Sequence, residues 1–136
     1  MATNDWTQNT SVKDLRAMGQ EFNFFQALRL LESSEEHDGA FSALRMKGEN
    51  SAAFKANFIE DVRFNEQGSK SELNMTVNGF NICSQNGPLP DIFSELLYRE
   101  EAEGNRGPND FINIFNDRLL HSLFELKKIF NPMLFN

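Results

Sequence analysis

A helix that is apolar over more than half of its circumference cannot lie on an open surface, and "FNFFQALRLLE", Phe22 to Glu32, encodes one. At helical spacing Phe24, Ala27, Leu28 and Leu31 share one face. Phe25 and Leu30 widen that face to an arc of roughly 200°, against a little over 100° for an ordinary surface helix. Only a narrow strip around Gln26 and Arg29 stays polar. Asn23 is placed to cap the helix, and Gln26 can reach back to it as in a capping box. Such a helix must be covered on several sides, by its own domain or by another protein. Phe24, Phe25, Arg29 and Leu30 are therefore candidates for a partner interface as well as for the core.

The flanking segments yield an α+β fold: N-terminal helices, a small mostly antiparallel β region, then two C-terminal helices of which the last is long. "SVKDLRAM" predicts a short helix capped by Ser11, with Val12, Leu15 and Met18 on one face and Gly19 as its stop. "LESSEEHDGA" reads as an acidic, solvated loop, because its carboxylates and histidine lack the spacing of a cation site. Alternation of Phe54, Ala56 and Phe58, of Val62 and Phe64, and of Leu73, Met75 and Val77 predicts strands, with a turn inside "NEQGSKSE". Asn78-Gly79 leaves two readings open, a hairpin or a bulge.

A helix starting after Pro90, with Ile92, Phe93, Leu96 and Leu97 inward, stops at Gly104. The acidic run "EEAEG" opposes the helix dipole, so that end is expected to fray. The longest helix is capped by Asn109 or Asp110 and ends near Asn131-Pro132. Its main apolar face carries Phe111, Ile112, Phe115, Leu119, Leu123, Leu126 and Ile129. Leu120 and Phe124 lie on the far side and read as a second contact surface. Residues 1–19 form a tail and short helix, 20–131 a single domain, and 132–136 a tail.

A chain of 136 residues is one domain's worth, long enough for one modest core. Fourteen phenylalanines against one tryptophan and one tyrosine suit cores and apolar interfaces better than wet binding sites. A net charge of −7 opposes nucleic-acid binding and attraction to anionic lipid. The single cysteine, Cys83, fits a reducing compartment. The polar start "MATNDWTQNT" lacks signal architecture, and no apolar run approaches the ~20 residues of a membrane span, so a cytoplasmic protein is expected.

Little in the chain points to chemistry. No phosphate loop, paired-cysteine motif or His-Glu-x-x-His is present, and no catalytic residue, cofactor or metal site is assigned. Cys83 reads as a small partly buried side chain. Asp117 and His121, four apart on the long helix, read as a local surface pair, with an orienting carboxylate and base as the sharper alternative. Arg118 and Glu125 share an edge of that helix and fit a structural ion pair or an intersubunit contact equally.

Taken in order, "FNFFQALRLLE", "DVRF", "NGPLP" and "DFINIFNDRLLHSLFELKK" resemble the N-terminal half of the TssG family (also called ImpH or VasB) of type VI secretion baseplate proteins. The carrying residues are Phe24-Phe25-Gln26, Arg29-Leu30-Leu31-Glu32, Arg63-Phe64, Gly87-Pro88-Leu89-Pro90, and Asp110-Phe111 with Phe115 and Arg118, across roughly residues 20–128. Asp117 stands where that family usually has histidine, so no role passes to it from there. TssG chains normally continue well beyond this length. The resemblance implies a structural, non-enzymatic wedge subunit that associates with TssF and through it with TssK trimers and the spike hub. The TssK contacts are implied to lie largely in the later part of the family's chain. It also implies assembly on the cytoplasmic face of the inner membrane, without insertion. The readings outside this family are a small adaptor or immunity-like binding protein, and a small α+β enzyme with a site built from Asp61, Asp117 and His121.

Overall fold

"LRMK", "VRF" and "LNMTV" each place apolar side chains at every second residue, and in the computed structural model these alternations become one three-stranded sheet. The structure describes residues 14–15, 17–38, 43–49, 56–67, 70–84 and 87–132. Strands β1 (Leu44–Gly48), β2 (Ile59–Gln67) and β3 (Lys70–Val77) lie in the order β1-β3-β2. β2 and β3 form the expected antiparallel pair, whereas β1 joins β3 in parallel. The register aligns three rows across the sheet: Leu44, Leu73 and Phe64; Met46, Met75 and Val62; Gly48, Val77 and Ile59. Apart from Phe64, which is half-buried, and Gly48, every member of these rows is buried.

Ile59 and Val62 face the same side although they stand an odd three positions apart. A bulge between Ile59 and Asp61 supplies the extra residue, Glu60, and restores the inward alternation. The irregularity expected at Asn78-Gly79 thus lies across the pair, on β2. Asn78-Gly79 itself is neither hairpin nor bulge. There the chain leaves the sheet: the Asn78 N–H donates to Phe58 O at 2.8 Å, and its side-chain amide donates to Asn57 O and Glu60 Oε2. A Cβ on Gly79 would stand 2.2 Å from the Phe58 ring, which explains the glycine.

Helix α1 (Phe24–Asp38) starts where Asn23 caps it, with Asn23 Oδ1 accepting from the Phe25 N–H at 3.0 Å. It does not stop at "LESSEEHD": Leu31 is buried, glutamate is a good helix former, and the first glycine stands at 39, so the expected loop is helical as far as Asp38. Phe24, Ala27, Leu28 and Leu31 enter the core as their spacing predicts. The residues before it, Asp14, Leu15, Ala17 and Met18, are helical and lead into a 3-10 turn at Gly19–Glu21; Ser11 and Val12 lie outside the described residues. Ala56–Phe58 precede β2 without joining it, and Phe54 is likewise outside the described residues. The "NEQGSKSE" segment is strand on both sides of Gly68-Ser69, because Gln67 already pairs with Lys70.

Helices α2 (Asp91–Ala102) and α3 (Gly107–Phe130) close the fold. The acidic end of α2, expected to fray, is closed by backbone hydrogen bonds. The Gly104 N–H donates to Glu101 O and the Asn105 N–H to Glu100 O, a Schellman ending that satisfies the last carbonyls. Gly104 takes a φ of 86° there. α3 then starts three residues earlier than the Asn109 cap predicts, with Arg106 at the cap position. Pro108 occupies its first turn, and Asn105 Oδ1 accepts from the Gly107 N–H at 3.3 Å.

Because a Cβ at Gly104 would meet nothing within 4 Å, Gly104→Ala isolates the backbone cost of a left-handed residue. It should lower stability by about 1 kcal/mol, read as a fall of about 4 °C in thermal midpoint.

Candidate functional site

Asn109, Asn113, Asn116 and Asp117 recur at helical spacing along one stripe of α3. Short amide and carboxylate side chains are poor helix formers unless they find partners. Here Asn109 donates to Glu101 Oε2 at 3.0 Å, and the other three find backbone groups of neighbouring segments. Asp117 Oδ1 accepts from the Met46 N–H at 2.7 Å and Asn113 Oδ1 from the Gly48 N–H at 3.0 Å. Four residues of helix rise ~6 Å and two residues of strand ~6.6 Å, so these two side chains match alternate N–H groups of β1. α3 therefore runs antiparallel to β1 and closes that sheet edge against outside strands. Arg45 Nη1 stands 3.7 Å from the second Asp117 oxygen.

Asn116 and Asn81 are buried and bonded to each other, Asn116 Nδ2 donating to Asn81 Oδ1 at 3.0 Å. Asn116 Oδ1 accepts from the Ile82 N–H, and Asn81 Nδ2 donates to Glu49 O, both at 3.0 Å. Asn81 Oδ1 also accepts from the Cys83 N–H, while Ser94 Oγ donates to Cys83 O at 2.7 Å and ties in α2. Gly48 makes room for this cluster, since a Cβ there would come within 2.4 Å of the Asn81 amide carbon. One amide network thus positions β1, α2, α3 and residues 81–84. Cys83 is buried beneath it, and burial pushes its thiol up from the ordinary value, the opposite of what a nucleophile needs.

The far end of α3 is held differently. Lys128 forms an ion pair with Glu32 of α1 and lies 3.7 Å from Glu125. Lys127 Nζ stands 5.3 Å from the centre of the Phe25 ring. The hydrogen bond to Glu32 is the main cause raising the Lys128 pKa, against some desolvation.

The core meets α3 through Leu120 and Phe124, 1% and 0% exposed, which reverses the faces expected of this helix. The side predicted to be main and inward holds Phe111 (59% exposed), Phe115, Leu119, Leu126 and Ile129, all open to solvent. The physical reason is the asparagine stripe: side chains that bind β1 must face it, and Leu120 and Phe124 lie on the same side. On α2 the same holds, with Leu97 buried but Ile92, Phe93 and Leu96 exposed.

The exposed stripe of α3 is one wall of a groove of about 570 Å³. Leu119, Ser122, Leu123 and Leu126 face Asn78–Ile82, Ser84, Gly87 and Pro88 across it, and no lining residue is charged. Phe80 stands at this groove with a φ of 54°, a left-handed conformation uncommon for a bulky side chain. Its exposed ring packs 5.3 Å from that of Phe58.

Of the interface candidates, Phe24, Leu120 and Phe124 are therefore core residues and offer no free surface. Phe25 and Leu30 are half-buried, and Arg29 is exposed. Asp61, Asp117 and His121 do not form a common site: Asp61 is on β2 with Arg63 Nε at 2.5 Å, whereas the other two lie beside β1 at the opposite edge of the sheet. His121 Nδ1 donates to Asp117 O at 2.9 Å. Among the described residues no three His, Cys, Asp or Glu side chains are grouped to hold a metal ion. Sequence reasoning missed the asparagine network, although the spacing of Asn109, Asn113, Asn116 and Asp117 was its signal.

The architecture is α+β: a small mixed sheet clamped by a long C-terminal helix whose other face leaves large apolar side chains exposed. The family model for "Type VI secretion, TssG" matches residues 19–134, and the chain belongs to that family of type VI secretion components. No curated protein and no solved structure gives a significant match. Among the described residues no helix is long and apolar enough to cross a membrane.

Asn116→Ala should cost about 2 kcal/mol in urea unfolding, because it leaves the Ile82 N–H without its acceptor and removes one of the bonds to Asn81. Lys128→Met should cost about 1 kcal/mol at pH 7. With its folded pKa raised, the lysine contributes fully below its unfolded value of ~10.4 and loses that contribution as pH rises through the folded one. The stability gap between variant and parent should therefore narrow as pH rises beyond the lysine's unfolded value.

Proposed function

We propose that this chain is a structural subunit of the type VI secretion baseplate wedge. In this role it binds a TssF-like protein directly and reaches TssK-like trimers and the spike hub through it. The family match over residues 19–134 carries this reading. The open apolar faces of α2 and α3 support it, because monomeric proteins rarely expose contiguous patches of this kind. The work done at such a site is binding rather than bond making: the polar side chains of the clamp hold backbone, and the large exposed side chains remain for contact. Assembly takes place in the cytoplasm, against the inner face of the cytoplasmic membrane. Phe25, Arg29 and Leu30 sit at the edge of the core and contribute a second contact area on α1.

Co-expression with the TssF-like protein of the same genome should bring the chain into a soluble complex that survives size-exclusion chromatography. A TssF-like protein that neither copurifies with the chain nor changes its solubility would end the wedge reading.

A further inference from the structure

The groove between α3 and residues 78–88 has properties that narrow what can occupy it. Its lining carries no charge, so the inserted surface must be apolar. Its volume of about 570 Å³ lies in the range of built binding pockets. Neither wall is a sheet edge. One is a helix, and the other is a loop whose polar groups already serve its own turns: the Gly87 N–H donates to Ser84 O, the Leu89 N–H to Ile82 O and the Ser84 N–H to Asn81 O. An extended peptide would find no ladder to join there, which leaves the helix-in-groove mode.

Charge decides between a second copy and another protein. The chain carries a net charge of −7, and α2, which follows directly from the Gly87-Pro88 wall, bears Asp91, Glu95, Glu100 and Glu101 against the lone cation Arg99. Two such surfaces repel each other, while a basic flank is drawn in. Phe80 adds an independent sign. A bulky aromatic ring held exposed at a φ of 54° beside the groove is the kind of strained residue that concentrates at ligand contacts.

We propose that this groove seats an amphipathic helix of another protein, with two or three large aliphatic or aromatic side chains inserted beside Phe80, Leu119 and Leu126 and lysines or arginines flanking them toward α2. This gives the partner chemistry for the assembly role above and rests on it.

The test uses the full chain and two labelled model helices, one of leucine and lysine with leucines at i, i+3, i+4 and i+7, the other with glutamate in place of lysine. Fluorescence anisotropy should show saturable binding of the Leu/Lys helix and none of the Leu/Glu helix. The exposed double variant Leu119→Asp/Leu126→Asp, checked for an unchanged circular dichroism spectrum, should bind the Leu/Lys helix at least tenfold more weakly. That direction is diagnostic, because two added carboxylates would strengthen a merely electrostatic attraction. The proposal is overturned by absent binding, by equal binding of both helices, by an unaffected double variant, or by a dimer in sedimentation that the double variant dissolves. Copurification with the TssF-like protein separates the two claims. A double variant that loses the model helix yet keeps TssF upholds the groove and moves the TssF contact elsewhere. A parent chain that binds the helix but never TssF ends the wedge reading alone.

Discussion

The hydrogen bonds from Asn113 and Asp117 to the N–H groups of Gly48 and Met46 are the constraint on which the rest of this fold depends. They exist because a helix turn and a strand repeat advance by nearly the same distance, so one stripe of α3 can follow one edge of β1. Once that stripe faces the sheet, the rotation of a 24-residue helix is set along its whole length. Asn116 must then lie inside, and it finds Asn81 and the Ile82 N–H; Leu120 and Phe124 follow into the core. The broad apolar stripe of the helix is turned outward as a consequence. A hydrophobic count would have turned it inward. Turned the other way, the helix would leave the Met46, Gly48 and Ile82 N–H groups without these acceptors and would bring Leu120 and Phe124 out of the core.

This outcome gives the domain its two surfaces. The clamp side binds the chain to itself through amides and is closed. The opposite side collects Phe111, Phe115, Leu119 and Leu126, with Phe80 across the groove, and remains open. An open apolar face of this kind is what the proposed assembly role would use. The Lys128–Glu32 pair and the Lys127–Phe25 contact hold the other end of α3 against α1, so the long helix spans the domain and is anchored at both ends. A surface mounted on such a helix is presented rigidly, which limits the ordering cost of binding.

Much of this was legible in the chain itself. The α+β order, the Asn23 cap, the four inward residues of α1, the alternation of β2 and β3 and the glycine stop of α2 all follow from local chemistry: period, capping groups and backbone freedom. The short strand β1 was not read, because five residues carry only two inward side chains and its pairing partner, β3, is remote in sequence. The acidic end of α1 was misread because polarity alone does not end a helix. At the acidic end of α2 the sequence shows the opposing dipole, a weak and screened effect, but not the two backbone hydrogen bonds that close the helix there.

What the sequence by itself determined is the family and every element but β1, since these rest on short-range pattern and on ordered motifs. Only the tertiary structure decided which face of each C-terminal helix is buried. Periodicity shows that Leu119 and Leu120 point different ways, but not which of the two meets the core. That choice belongs to β1, which lies some seventy residues away in the chain and accepts only the side of α3 that can satisfy its edge.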